Sequence, residues 1–248
     1  MRFLCMNIYR HSLSFAFAGL SLLSSSQAAL WTSGHGDIGL EGDGGVLELE
    51  YHVGEGEAAI VDGVEVFDTG YEPDELQVGV FHRQVINSTN TELLDGLGIS
   101  SGDSLSFLTN SEIQAESLGT PVLGFGAEEL DSSDWGDVTF SLTGISGPGD
   151  FSLYQADGLG GANFFMSTAL GGITSDDSVT IPAGIHDDYI FAFTEEGIYN
   201  LTIEASALYI PDNEVRTTSS TFTFVVPEPS TAILGLLGFA PLLRRRRA

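Results

Sequence analysis

The sequence of 248 residues contains no lysine and has little positive charge of any kind. All 35 acidic residues lie after residue 28, whereas only Arg83 and Arg216 are basic between residues 29 and 226. Such a surface repels nucleic acid and anionic membranes, which excludes both as partners of this region. Clustered carboxylates, as in residues 128–134, suit hard divalent cations such as calcium. Solubility in a saline or crowded extracellular medium is the alternative explanation.

Cysteine is almost absent as well. The single cysteine, Cys5, precedes an apolar stretch from Leu13 to Leu23, and Arg2 and Arg10 lie before that stretch. Small residues follow it, and this pattern predicts a secretory signal peptide over residues 1–28 that signal peptidase removes. The exported chain then contains no cysteine, so the hydrophobic core must stabilise the fold without disulfides.

No segment in the middle of the chain has a sustained helical period. Short stretches instead alternate apolar and polar residues, as in residues 46–53 and 138–142. The Asp-Gly pair at 62–63 is typical of a tight hairpin turn, and one helical turn is expected within residues 87–98. With 31 glycines, this pattern predicts an all-β body over residues 29–226: a single antiparallel β-sandwich, jelly-roll or immunoglobulin-like.

Recognisable catalytic motifs are absent too. The sequence contains no Gly-x-Ser-x-Gly elbow, no phosphate-binding loop and no cysteine nucleophile after the signal peptide. Carboxylates are so numerous that no pair stands out as the two catalytic groups of a glycosidase. The chain is therefore predicted not to be an enzyme.

The C-terminal end of the chain contains half of the basic residues. A Pro-Glu-Pro element is followed by an apolar run over residues 231–243 and then by an arginine cluster. The run is shorter than the roughly 20 apolar residues of a full membrane span, and the arginines favour a cytoplasmic C-terminus. This order resembles the PEP-CTERM sorting signal, here over residues 227–248. Its matching residues are Pro227, Glu228, Pro229, Arg244, Arg245, Arg246 and Arg247.

The resemblance implies a transient anchor, in which a short C-terminal transmembrane helix is recognised by an exosortase and removed after export. The protein would then reach the cell surface or the extracellular matrix of a bacterium that makes exopolysaccharide. Contact with the membrane would be limited to this segment before processing. Exosortase and signal peptidase are the partners that this route implies.

Several segments of the body resemble the choice-of-anchor M domain, a bacterial surface domain that occurs with different C-terminal anchors. The resemblance is carried by residues 34–38 (Gly-His-Gly-Asp-Ile), 138–142, 147–154 and 184–199, of which 191–199 are the most specific part. In that family the segment that corresponds to His186 typically contains His-x-His followed by an aromatic residue, whereas this sequence has His186 and Asp188, with Phe191 at the aromatic position. The aspartate shifts the expected ion from zinc towards calcium or no metal.

Four residues form the best candidate site: His35 and Asp37 near the start of the body, and His186 and Asp188 near its end. Residues two apart in a strand share one face, so each pair projects its side chains in the same direction. If the two segments lie in one sheet, the four side chains can converge on a divalent cation, calcium or zinc. The alternative is that His35 caps a loop and that residues 186–188 form a solvated turn.

Three functions are consistent with these features. The first is an exported, non-catalytic surface or matrix protein with a structural or adhesive role, associated with exopolysaccharide through divalent cations. The second is a metal-binding surface module that uses the four residues above, and the third is an enzyme acting on polysaccharide. Convergence of the four side chains would favour the second function, whereas scattered histidines on a flat surface would favour the first.

Overall fold

The computed structural model describes residues 28–228, which form a β-rich body with two short α-helices. Residues 1–27 of the predicted signal peptide, Pro229, the apolar run and the arginine cluster of residues 244–247 lie outside the described residues. Pro227 and Glu228 lie within them, and both are exposed. Between residues 28 and 228, no helix is long and apolar enough to cross a membrane.

Seventeen strands and two α-helices follow one another along the described chain. The first strands are β1 (Ala29–Asp43), β2 (Val46–Val53), β3 (Ala59–Val61), β4 (Val64–Val66), β5 (Thr69–Tyr71), β6 (Leu76–Gly79), β7 (Arg83–Val85), β8 (Ser104–Leu108) and β9 (Pro121–Gly126). The remaining strands are β10 (Trp135–Ser146), β11 (Phe151–Ala156), β12 (Ala162–Ser167), β13 (Ser178–Ile181), β14 (His186–Asp188), β15 (Ile190–Phe193), β16 (Gly197–Tyr209) and β17 (Glu214–Val226). The helices are α1 (Thr91–Leu97) and α2 (Glu112–Leu118), and a 3-10 helix spans Thr168–Leu170.

The strands form two sheets that enclose one main hydrophobic core. The larger sheet has twelve strands, and the smaller has five in the order β12-β11-β15-β8-β7. Phe191 and Phe193 of β15 lie against Phe224 of β17, with ring centroids 5.7 and 5.3 Å apart. Phe125 of β9 joins them, 6.0 Å from Phe191. Apolar side chains of both sheets thus leave water together, which confirms the predicted all-β, two-sheet body.

The larger sheet is mixed, so the prediction of a purely antiparallel sandwich is wrong in this respect. β1 runs parallel to β6 and to β9, and β17 also runs parallel to β6. The alternation of apolar and polar residues reports which face of a strand is buried, and it contains no information on the direction of the neighbouring strand. These parallel pairs join segments that are distant in sequence and could not be identified from local patterns.

The turn and the helical segment that were predicted from local sequence are confirmed. The Asp-Gly pair at 62–63 forms the turn between β3 and β4, with positive φ angles of 50° and 75°. The expected helical turn is α1, where the Asn90 side chain accepts hydrogen bonds from the N–H groups of Glu92 and Leu93. Helix α2 was missing from the prediction because it buries only Ala115, which is too little for a detectable helical period.

Strand β1 positions the candidate site because it changes neighbours partway along its length. Its first residues pair with β6, whereas the segment from Gly34 onwards pairs with β9 and β2. Gly34 has a φ of 89°, and a Cβ there would lie 2.5 Å from the Cα of Ala59, so glycine is required at this position. Beyond it, Ile38 faces the core, and His35 and Asp37 face the opposite side of the sheet.

Candidate metal centre

Three strands of the larger sheet, in the order β14-β9-β1, build the candidate metal centre. β9 runs parallel to β1 and antiparallel to β14. Gly124 of β9 pairs with Asp37 on one side and with Asp188 on the other, and His186 pairs with Gly126. The two predicted segments therefore share a sheet and project towards the same face, but β9 separates them. His35 and residues 186–188 are strand residues, which rules out the loop cap and the solvated turn.

Two glycines in β9 allow the side chains of the outer strands to meet. A Cβ at Gly124 would lie 2.4 Å from Oδ1 of Asp37 and 3.0 Å from Oδ1 of Asp188. A Cβ at Gly126 would lie 2.6 Å from Oε2 of Glu128. Carboxylates from neighbouring segments thus occupy the space above β9 that side chains of this strand would fill. The Gly-x-Gly pattern of β9 is the sequence feature that could have indicated this space.

His35 connects the β1 side of the centre with β14. Its Nε2 lies 3.2 Å from Oδ1 of Asp188, and its ring centroid lies 5.3 Å from that of His186. These three residues offer ligand atoms that all lie within 4.8 Å of one another. A zinc ion, with bonds of about 2 Å, can be reached by all three after small side-chain movements.

Asp37 is the most deeply buried acidic group of the centre. It is 1% exposed, and neither of its carboxylate oxygens has a hydrogen-bond partner among the described residues. An unpaired buried carboxylate costs several kcal/mol, so a cation or a hydrogen-bond donor is normally found beside it. Arg83 and Arg216 form ion pairs with carboxylates elsewhere on the body. The residues around Asp37 therefore fit a bound metal ion.

Two glutamates that were not among the predicted ligands complete the centre. Glu55 lies in the turn after β2, and Glu128 lies in the turn after β9. Together with Asp37 and His186 they offer ligand atoms within 4.8 Å of one another. Glu128 also forms a close ion pair with Nδ1 of His186. The sequence placed Glu128 in a separate carboxylate-rich loop, and nothing local connected that loop or Glu55 with the two histidines.

Backbone hydrogen bonds hold both glutamate turns against the centre. The N–H of Ala127 donates to the carbonyl oxygen of Ile185 over 3.0 Å, which fixes the turn of Glu128 to the chain entering β14. The N–H of Gly54 donates to the carbonyl oxygen of His35 over 2.9 Å, one residue before the other glutamate. The ligands are therefore attached to rigid strands or to turns tied to those strands, as a preorganised site requires.

Burial and neighbouring charges shift the pKa values of the histidines and of Asp37 in the centre. The hydrogen bond with Asp188 raises the pKa of His35 to about 9, although burial opposes it. Burial raises the pKa of Asp37 against the opposing charge of His35. Burial lowers the pKa of His186, but the charges of Asp37 and Glu128 outweigh it, and the net change is upward. His35 thus remains an imidazolium at neutral pH, and a metal ion must displace one of its protons.

Zinc binding is expected to weaken as the pH falls. Because the pKa of His35 is raised from 6.5 to about 9, its side chain is an imidazolium at neutral pH. One of the two ring protons must leave before a ring nitrogen can bind a metal ion. Each displaced proton changes the apparent affinity by about tenfold per pH unit below that pKa. Competition titrations against a chromophoric chelator between about pH 6 and pH 9 measure this slope. An affinity that is constant over this range would contradict the role of His35 as a ligand.

The other two histidines of the body lie outside the centre. His52, on the polar face of β2, is hydrogen-bonded to Asp68 over 2.8 Å. His82 packs edge-on against Phe107, with ring centroids 4.9 Å apart. Each of these histidines therefore interacts with a neighbour outside the centre.

Comparisons with known proteins do not identify the chain. No family model matches it, and no curated protein matches it. Among solved structures, it is similar to the PapD-like (ASH) domain 7 of human CEP192, over 38% of this chain and 65% of that chain, with 13% sequence identity and a TM-score of 0.19. A similarity of this size supports no conclusion about fold or function. Only the residues of the site therefore bear on the function.

Proposed function

We propose that residues 29–226 form the metal-binding domain of an exported surface protein, and that its centre binds a divalent transition-metal ion such as zinc. The observation that carries this proposal is the Asp37 carboxylate, which is buried and unpartnered between segments that supply two imidazoles. A metal ion satisfies both carboxylate oxygens and balances the negative charge in one step. The chain's side chains hold the ion, and the proposal includes no catalytic step.

The ligand types favour a transition metal over calcium. Calcium takes six to eight oxygen ligands, and two of the groups here are imidazoles. Imidazole suits zinc, copper, iron and nickel, and carboxylate oxygens are also ligands of zinc. The exchange of histidine for aspartate at Asp188 leaves two histidines in the set, so the combination is still suited to zinc.

An enzymatic role on polysaccharide receives less support. Aromatic side chains that stack on sugar rings are a usual feature of carbohydrate sites, and tryptophan offers the largest such surface. Trp31 and Trp135, the two tryptophans of the sequence, are 0% and 3% exposed. Neither presents a ring to a sugar, so the tryptophans give no support to a site that acts on polysaccharide.

The location of the protein is proposed from the sequence. The signal peptide and the PEP-CTERM-like tail support export, processing by an exosortase and delivery to the cell surface or the extracellular matrix. The body, for which we propose a jelly-roll or immunoglobulin-like class, would then be exposed to exopolysaccharide. A structural or adhesive role there, with divalent cations bridging the abundant carboxylates, is the second candidate function and is favoured by the acidic composition.

The purified protein is expected to retain at least one equivalent of zinc after loading and removal of excess ion. His186→Ala should abolish this retention, because His186 belongs to both groups of ligand atoms in the centre. His82→Ala is the matched control, since it removes an imidazole that packs against Phe107 outside the centre. Metal content is measured by inductively coupled plasma mass spectrometry.

Two results would overturn the proposal. The first is a wild-type protein that retains no zinc, and the second is zinc retention that His186→Ala leaves unchanged. A protein that retains no zinc but binds calcium equally well with and without His186→Ala would instead support the structural role within the matrix.

A further inference from the structure

We propose that the centre binds two divalent ions rather than one, an inference that rests on the proposed function and extends it. The centre contains two groups of ligands, each compact enough to surround an ion, and they overlap at a single residue. Site 1 consists of His35, His186 and Asp188, and site 2 consists of Asp37, Glu55, Glu128 and His186.

The shared residue, His186, is chemically able to serve both sites. Its imidazole has two nitrogens on different sides of the ring, and each can bind a metal ion when deprotonated. Nδ1 forms the close ion pair with Glu128, which assigns this nitrogen to site 2. Among residues 28–228 Nε2 of His186 has no hydrogen-bond partner, and the His186 ring lies 5.3 Å from the ring of His35, a ligand of site 1.

The geometry above β9 makes the two sites neighbours. The point that a Cβ of Gly124 would occupy lies 2.4 Å from a carboxylate oxygen of Asp37, in site 2, and 3.0 Å from one of Asp188, in site 1. Carboxylates of the two sites thus border the same small space. An imidazole that binds one ion through each ring nitrogen holds the two ions farther apart than the separation of about 3.5–4 Å in closely paired two-metal centres.

Charge balance is an independent argument for the second ion. The two sites contain four carboxylates, from Asp37, Asp188, Glu55 and Glu128, and both arginines of the body are paired elsewhere. One divalent ion would leave two negative charges without a counterion, and one of the carboxylates is almost fully buried. Two divalent ions balance the four carboxylates and leave only the charge of the shared imidazolate, which lowers the cost of uncompensated buried charge.

The number of zinc ions per chain tests this inference. The full chain, loaded with zinc and freed of excess ion, is expected to contain two zinc ions per chain by mass spectrometry. Glu128→Gln preserves the size of the side chain but removes a charged ligand of site 2, and it should reduce the content to one. Glu129→Gln is the matched control, because this adjacent side chain is 56% exposed and outside both sites, and it should retain two ions.

The possible outcomes separate this inference from the proposed function. One zinc ion in the wild type overturns the second ion and leaves the proposed function standing, whereas no zinc overturns both. Two ions in Glu128→Gln would show that the second ion is not held by site 2. If Glu128→Gln does not fold, Glu55→Gln tests the same site from the turn after β2. A cobalt-loaded wild type should also show magnetic coupling between two ions, and Glu55→Gln should lose it.

Discussion

Replacing Gly124 with alanine is expected to abolish metal binding while the core of the protein stays folded. The new Cβ would lie 2.4 Å from Oδ1 of Asp37, 3.0 Å from Oδ1 of Asp188 and 2.6 Å from the backbone oxygen of Asp187. These contacts are too short to persist, so ligands from both sides of β9 must move. Displaced or poorly supported ligands lower metal affinity strongly, and we expect a loss of at least about 100-fold.

Gly39→Ala is the matched control for this experiment. Gly39 pairs with Gly126 on the same face of the sheet, but the nearest atom to its Cβ would be the Cβ of His52 at 3.4 Å, an ordinary contact. Zinc affinity is measured by competition with a chelator, and thermal unfolding in excess chelator reports on the fold. Among the described strands β14 pairs only with β9, so its displacement leaves the core in place. Unchanged zinc affinity in Gly124→Ala would refute the placement of the centre above β9.

Asp37→Asn is expected to change stability in opposite directions with and without metal. In the metal-free protein, burial raises the pKa of Asp37, so folding favours the protonated form. The cost of the ionised carboxylate is therefore absent at low pH, and it grows as the pH rises above 3.8 and through the raised value. At about pH 8 the neutral amide should raise the free energy of unfolding by about 1–4 kcal/mol.

In the presence of zinc, the wild type should have a higher free energy of unfolding than Asp37→Asn. With free zinc at about 1,000 times the Kd, the wild type gains about 4.1 kcal/mol, and a variant that lacks this ligand gains much less. Urea denaturation at about pH 8, in chelator and in zinc, measures both differences. Asp137→Asn changes an exposed aspartate of β10 and should shift stability by less than about 0.5 kcal/mol under either condition. Destabilisation by Asp37→Asn in chelator would mean that a protein group, and not a cation, satisfies this carboxylate.

The predicted ligands came from the resemblance to the choice-of-anchor M domain, together with local periodicity. Residues two apart in a strand point to the same side, so the pairing of His35 with Asp37, and of His186 with Asp188, could be read directly from the sequence. The same regularity located β2 at residues 46–53 with its observed bounds. It could not reveal Glu55 or Glu128, because turns have no such period and their positions depend on the strands that they join.

Composition and local periodicity account for the acidic surface, most of the longer strands and the side of each strand on which the candidate ligands lie, because these properties depend on neighbours within a few residues. Long-range packing instead places β9 between β1 and β14 and parallel to β1, with Gly124 and Gly126 leaving room for carboxylates above it. Pairing between distant segments is set by the packing of the whole core and not by any single segment. The candidate metal centre forms because that packing brings two short His-x-Asp segments to either side of a strand without side chains at the required positions.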